Sequence, residues 1–227
     1  MLLHTAKRLL AGLLPVLIFI GCKDTVTNSH DDTIRGSGSI VSQTRTVDVC
    51  DGIAVKAVGK VYLTQAETQS IRIEADDNII NSVVSEKKNG VLVVGLPDGQ
   101  YSDITLRIYV SMKNVNTLSI DGAGTIECVQ PLTAPSLSCV ITGAGTMSLS
   151  GQGNELACSI IGAGSINARA FTAKNCTAVV TGAGNCTVNC TDKLSATVNG
   201  VGSIVYYGEP PVVQSSVAGV GQITKGK

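Results

Sequence analysis

Cysteine is the residue type in this sequence with the most chemistry open to it, at Cys22, Cys50, Cys128, Cys139, Cys158, Cys176, Cys186 and Cys190. Thiols can pair, hold a soft metal, act as nucleophiles or accept a lipid. Spacing narrows these uses. No Cys-x-x-Cys pair occurs, so the usual thiolate metal knuckle is absent. The only histidines are His4 and His30, which leaves residues 39–227 with no partner for a Ser-His or Cys-His catalytic pair and no His for a zinc site. Setting Cys22 aside, an odd seven remain, and Cys also serves as a small buried hydrophobe. The reading is reduced core packing with no metal and no cofactor. A disulfide between Cys139 and Cys158, or among the others, stays open.

Carboxylates are the next candidates. From Gly122 onward they are Glu127, Glu155, Asp192 and Glu209, each at a different offset from the nearest glycine turn. A glycosidase or lyase site needs clustered carboxylates, or a base beside a bound cation, so a polysaccharide-active enzyme is the weaker alternative. Calcium-binding glycine repeats need an Asp in every turn, and only Asp121 stands beside one. Asn175, Asn185 and Asn189 each open an Asn-Cys-Thr triplet, read as polar turns rather than as glycan acceptors.

Cys22 has different surroundings. Lys7 and Arg8 precede an apolar run from Leu9 to Ile20, too short to span a bilayer with ease but fit for a signal-peptide core. The run ends Phe19-Ile20-Gly21-Cys22, a lipobox-like close with a small residue before the acceptor. Residues 1–21 therefore read as a lipoprotein signal peptide, Cys22 as the lipidated N-terminus and 22–38 as a polar tether. The membrane partner is reached through a lipid rather than a spanning helix. Lys23 follows Cys22, where an inner-membrane retention Asp could stand, which points to an outer-membrane lipoprotein. Seventeen Lys and Arg balance seventeen Asp and Glu, leaving no footprint for nucleic acid.

The elements that must position these residues are set by a repeat. Gly-Ala-Gly begins at Gly122, Gly143, Gly162 and Gly182 and Gly-Val-Gly at Gly200 and Gly219, at intervals of 21, 19, 20, 18 and 19 residues. Two residues before the first Gly stand Ile120, Ile141, Ile160, Val180, Val198 and Val217; four after it stand Ile126, Met147, Ile166, Cys186, Ile204 and Ile223. Apolar alternation with period two marks a strand with one buried face. Units of about 20 residues are too short for helix pairs and fit coils of short strands stacked by parallel pairing. Cys139 and Cys158 share one inward place in successive coils, within disulfide reach.

The fold class is thus all-β: a right-handed parallel β-helix or solenoid over 119–227, with a β-rich part at 39–118 covering one end, because an open end exposes apolar side chains and strand edges. Within that part, strands are expected from Val47 to Thr64 with a break near Val58-Gly59, from Ser70 to Ala75, and from Ile104 to Val110. Val83 to Lys87 and Val91 to Gly95 should form a hairpin on Asn89-Gly90.

With the repeats and the lipobox in view, the chain resembles the putative auto-transporter adhesin head GIN domain family of Bacteroidetes-type lipoproteins, from about Ser39 to Thr224. The likeness rests on Asp51-Gly52-Ile53, Val61-Tyr62-Leu63-Thr64-Gln65, Asn89-Gly90-Val91-Leu92, Gly164-Ser165-Ile166-Asn167 and the closing Tyr206-Tyr207-Gly208 with Pro210. It implies a β-helical fold and a cell-envelope address, and it transfers no catalytic residues. The many cysteines depart from the family pattern. The resulting reading is a non-enzymatic envelope protein with outer faces of Ser, Thr and Asn, binding a glycan or an envelope or matrix protein. A carrier of lipid or another apolar ligand is the third reading.

Overall fold

The computed structural model describes residues 32–227. Signal peptide 1–21, Cys22 and the tether up to Asp31 lie outside the described residues. Within the stretch read as tether, Ile34–Arg35 (β1) is a short strand paired with Tyr101–Ser102.

The irregular half contains β2 (Ile40–Arg45), β3 (Gly52–Ala57), β4 (Lys60–Gln65), β5 (Ser70–Asp76), β6 (Val84–Lys88), β7 (Val91–Gly95), β8 (Tyr101–Ser102) and β9 (Leu106–Met112). One 3-10 turn, Ile80–Ser82, follows β5. The break at Val58-Gly59 and the β6–β7 hairpin appear as expected, with Asn89 (φ 51°) and Gly90 (φ 81°) supplying the two left-handed residues of its turn. The strand expected from Val47 begins only at Gly52, and β2 fell outside the sequence expectation.

The repeated half contains β10 (Thr117–Gly122), β11 (Thr125–Cys128), β12 (Leu132–Thr133), β13 (Ser136–Gly143), β14 (Thr146–Gly162), β15 (Ser165–Gly182), β16 (Asn185–Gly200), β17 (Ser203–Tyr207), β18 (Val212–Gly219) and β19 (Gln222–Lys225). Every pairing among them is parallel, and at the turns it is in the register set by the glycines, Gly122 opposite Gly143, then Gly162, Gly182, Gly200 and Gly219, with shifts after Ser148 and after Asn167 that absorb the unequal coil lengths. The fold is a β-solenoid.

The two glycines of each turn are needed for different reasons. The first has φ between 117° and 132°, a region closed to side chains, and a Cβ on Gly162 would stand 2.5 Å from the Gly143 carbonyl of the previous coil. The second is limited by packing: a Cβ on Gly164 would lie 2.6 Å from Cγ2 of Ile141. The inward side chains stack into ladders. One runs Val94, Val55, Ile120, Ile141, Ile160, Val180 and Val198, each at most 1% exposed.

That ladder crosses between the halves, because β3 and β4 continue the coil register. Ile53 pairs with Leu118, Val55 with Ile120 and Ala57 with Gly122, while Val61 pairs with Ile126. Beyond them β7 lies parallel on β3, and β9 parallel on β4. Only then does the stack close, with β6 antiparallel on β7, β5 antiparallel on β9 and β2 antiparallel on β5. The first half therefore covers one end and also supplies coils. The coil at 57–59 escaped the glycine count because its first turn residue is Ala57, in a left-handed conformation (φ 56°).

Asp76 is the one buried charged side chain among the described residues, 1% exposed. Its carboxylate accepts the Gly38 and Thr105 amides, each at 2.7 Å. It ties the chain entering β2 to the chain entering β9.

Candidate functional site

The cysteines come first. Cys139 and Cys158 are opposite each other in register, as expected, and both are buried. All seven cysteines among the described residues are free thiols. Burial pushes the Cys128 thiol up to about 11. Cys158 is raised first by its contact with the Cys139 thiol, Cys176 by burial and then Cys190, and Cys186 by Cys158. Such thiols hold their protons at neutral pH, which suits packing and disfavours nucleophilic or ligand roles. Among the described residues no cluster of three or more His, Cys, Asp or Glu is arranged to hold a metal ion.

The four late carboxylates stay apart, each in local contacts: Glu127 with Lys60 at 2.8 Å, Glu155 accepting Asn175 at 2.7 Å, Asp192 accepting the neighbouring Thr191 hydroxyl at 2.7 Å and Glu209 with Lys225 at 2.5 Å. The sequon asparagines are used structurally. Asn185 accepts the Ser203 hydroxyl at 2.7 Å, and Asn189 donates to the Arg169 carbonyl and the Thr172 hydroxyl. Tyr207 lies under the Arg169 guanidinium at 4.3 Å, and Tyr206 packs partly into the core.

What the structure assembles is an outer face. Just after each glycine turn, Thr125, Thr146, Ser165, Asn185, Ser203 and Gln222 stand opposite one another in successive coils. Two residues further on, Glu127, Ser148, Asn167, Thr187, Val205 and Thr224 form a second column. Alternation turns these residues outward because their neighbours Ile126, Met147, Ile166, Cys186 and Ile204 are buried. No carboxylate ladder exists on this face, but a hydroxyl and amide ladder does.

The second column runs on into the irregular half as Tyr62, Tyr109, Arg72 and Thr44. Here its chemistry changes. The Tyr62 and Tyr109 rings stack with centroids 5.0 Å apart and planes 13° from parallel. The Arg72 guanidinium lies 3.9 Å from the Tyr109 centroid, and the Lys60 ammonium 4.7 Å from that of Tyr62. Glu74 accepts Arg72 and, at 3.1 Å, the Tyr109 hydroxyl. Those bonds, Arg72's first, hold the Glu74 carboxyl below the usual range, while Glu127 raises Lys60. Beside the tyrosines a groove of about 570 Å³ runs over Thr44, Thr64, Ser70 and Ser111, with Val129 (56% exposed) on its margin. Amphipathic rings, hydroxyls and the Arg72 guanidinium around a concavity of this size make it the candidate ligand site. The sequence did not single out this pair. Its signal was that Tyr62 and Tyr109 occupy outward positions in strands that otherwise alternate apolar and polar.

The profile of the family described as "putative auto-transporter adhesin, head GIN domain" matches residues 50–210. No curated protein gives a significant match. Solved structures do. A putative adhesin from Bacteroides fragilis superposes with a TM-score of 0.69 at 24% identity, covering 85% of this chain and 99% of its own. A putative adhesin from Parabacteroides distasonis gives 0.60 at 19%, covering 86% and 100%. A putative lipid binding protein from the same species gives 0.53 at 19%, with the same coverage. At these identities the likeness shows the fold, and the profile match over most of the described residues shows the kinship: this chain belongs to the auto-transporter adhesin head GIN domain family.

Proposed function

We propose that the chain is a non-enzymatic, lipid-tethered envelope protein that binds a glycan lengthwise on its outer face, with Tyr62 and Tyr109 as the anchor. The observation that carries this is the continuity of that face. From β11 through β14, β15, β16 and β17 to β19, six strands present aligned Thr, Ser, Asn and Gln side chains, and β4 and β9 carry the face on with Tyr62 and Tyr109, eight strands in all. At ~4.8 Å between neighbours they span ~34 Å, long enough for several sugar units. Regular polar rungs fit a repeating polar polymer, and the edges of the two rings, whose faces are taken up by each other and by Arg72 and Lys60, add an apolar contact at one end. Membership of an adhesin family agrees with a binding role. The dispersed carboxylates and the absence of histidine from residues 32–227 support the non-enzymatic reading. The envelope address rests on Cys22 as the lipid acceptor and on Lys23 beside it, which favours the outer membrane.

A glycan array followed by calorimetry on the strongest hit tests the reading. Tyr62→Ala should weaken that hit about five- to thirtyfold, in line with loss of an aromatic anchor worth about 1–2 kcal/mol. No hit across neutral and acidic glycans would sink it.

A lipid carrier is the second reading, prompted by the structural neighbour described as lipid binding. Against it, the inward ladders fill the interior of the coils with side chains at most 3% exposed from Leu118 to Ile204. Lipid co-purifying with the chain in native mass spectrometry would revive it.

A further inference from the structure

The coils depart furthest from their regular register beside the outer face, in β15. Ala168, Arg169, Ala170 and Phe171 stand where β16 has Val188 alone, and Ala168 and Arg169 stand where β14 has Leu149. A bulge of this kind re-aims side chains. Ala168 and Phe171 are fully buried and pin it to the core, which leaves Arg169 and Ala170 turned outward and exposed. The Arg169 amide donates to Oδ1 of Asn167 at 3.2 Å, and its carbonyl accepts Nδ2 of Asn189 at 3.3 Å. The guanidinium is steadied in turn, 4.3 Å from the Tyr207 centroid. It borders a groove of about 520 Å³ whose walls include Glu127, Ser148, Ser150 and Asn167.

We propose that this groove is a second subsite, in which Arg169 receives the carboxylate of an acidic sugar, so that the polymer on the outer face is a uronate-containing polysaccharide. The inference rests on the reading of that face as a glycan track. Charge selects the ligand. Lys60 is paired with Glu127, and Arg72 and Arg107 both face Glu74. Among the described residues Arg169 has no carboxylate partner, and its guanidinium N–H groups have no acceptor. A guanidinium held over a ring by its face keeps its N–H edges for a planar, two-oxygen anion. The hydroxyls of Ser148 and Ser150 and the Asn167 amide line the same groove and suit the remaining sugar hydroxyls. Glu127 borders the groove two strands away and stays neutralised by Lys60 at 2.8 Å, so one carboxylate is the charge that the site balances. From Tyr62 the path runs over β4, β11, β14 and β15, roughly 14 Å at the usual strand spacing. One chain laid along the stack therefore reaches both places.

The test measures binding of the purified full chain, in mild detergent, to polygalacturonate, alginate and hyaluronan, each beside its carboxyl-reduced form. At least one acidic polymer should bind, about tenfold tighter than its reduced form and less tightly as salt is raised. Arg169→Gln, at an exposed position, should keep its β-type circular dichroism, lose about tenfold towards the acidic polymer and bind the reduced form as the wild type does. Arg169→Lys, which keeps the charge but not the fork, should fall between the two. Tyr62→Ala should weaken both forms alike. Equal binding of acidic and reduced polymers by the wild type, or an unchanged affinity of Arg169→Gln for the acidic one, would overturn the proposal. A chain that binds a neutral polymer but none of the acidic ones overturns the subsite and keeps the glycan reading, whereas a chain that binds no polymer overturns both.

Discussion

The coils of residues 117–225 and the closing half at 33–112 obey one register but are held by different devices. In the coils each layer repeats its neighbour, so stability comes from ladders of Ile, Val, Ala and Cys and from glycines that let backbones approach. The outer face is then free to be nearly uniform: Thr, Ser, Asn and Gln fill its first column, and Glu127 and Val205 interrupt the second. In the closing half the repeat breaks. Antiparallel strands end the stack, a buried carboxylate and the Arg45 side chain tie loops down, and the outer face gathers Tyr62, Tyr109, Arg72, Lys60 and Glu74. Periodicity builds the platform, while the aperiodic end carries the aromatic and charged residues of the candidate site. The general form of this division is familiar from solenoids, whose terminal units differ from the rest.

The largest expected effect is in the coils. Gly162→Val requires a β-branched residue at φ 124° and drives its Cβ towards the Gly143 carbonyl. Both coils must shift. A loss of about 4 kcal/mol or more is expected, seen as a fall of about 10 °C in the melting temperature of a domain this size. A fall of only a degree or two would show that the register is looser than the ladders imply.

In the closing half the comparable weak point is polar. Asp76→Ala removes the acceptor of two amides in the chain entering β2 and β9 and leaves both in a site with little water. The cost should be about 3 kcal/mol. Hydrogen exchange would locate it: faster exchange at Gly38 and Thr105 with the amides of β15 unchanged. Equal acceleration in both regions would mean that the halves unfold as one unit and that the contrast between them is only geometric.

How much of this could be read from sequence follows the same division. The coils were legible because Ile or Val stands two residues before every first glycine, and neighbour-on-neighbour stacking turns that spacing directly into register, down to Cys139 over Cys158. The coil at 57–59 was hidden by Ala57, although Ile53, Val55 and Val61 held the right offsets. The Tyr62–Tyr109 stack was hidden for another reason. Its partners belong to strands separated by β5, β6, β7 and β8, and the parallel pairing of β9 on β4 is a long-range choice that local alternation does not encode. Asp76 reads locally as a turn residue, and only the folded chain shows two amides converging on it.

Ala57 gives the finest comparison, because it occupies the register place of the first glycines. At φ 56° it sits in the left-handed region that Asn tolerates well, whereas the coil glycines lie between 117° and 132°, which Asn does not reach without strain. The two turns therefore differ in conformation, and the alanine is not a defective copy of the glycine. Ala57→Asn should change stability by less than about 0.5 kcal/mol, while Gly162→Asn should cost several times that. Chemical denaturation of both variants measures the difference. Equal losses would mean that the shared register imposes a single turn geometry on both halves, and that Ala57 holds its place under strain.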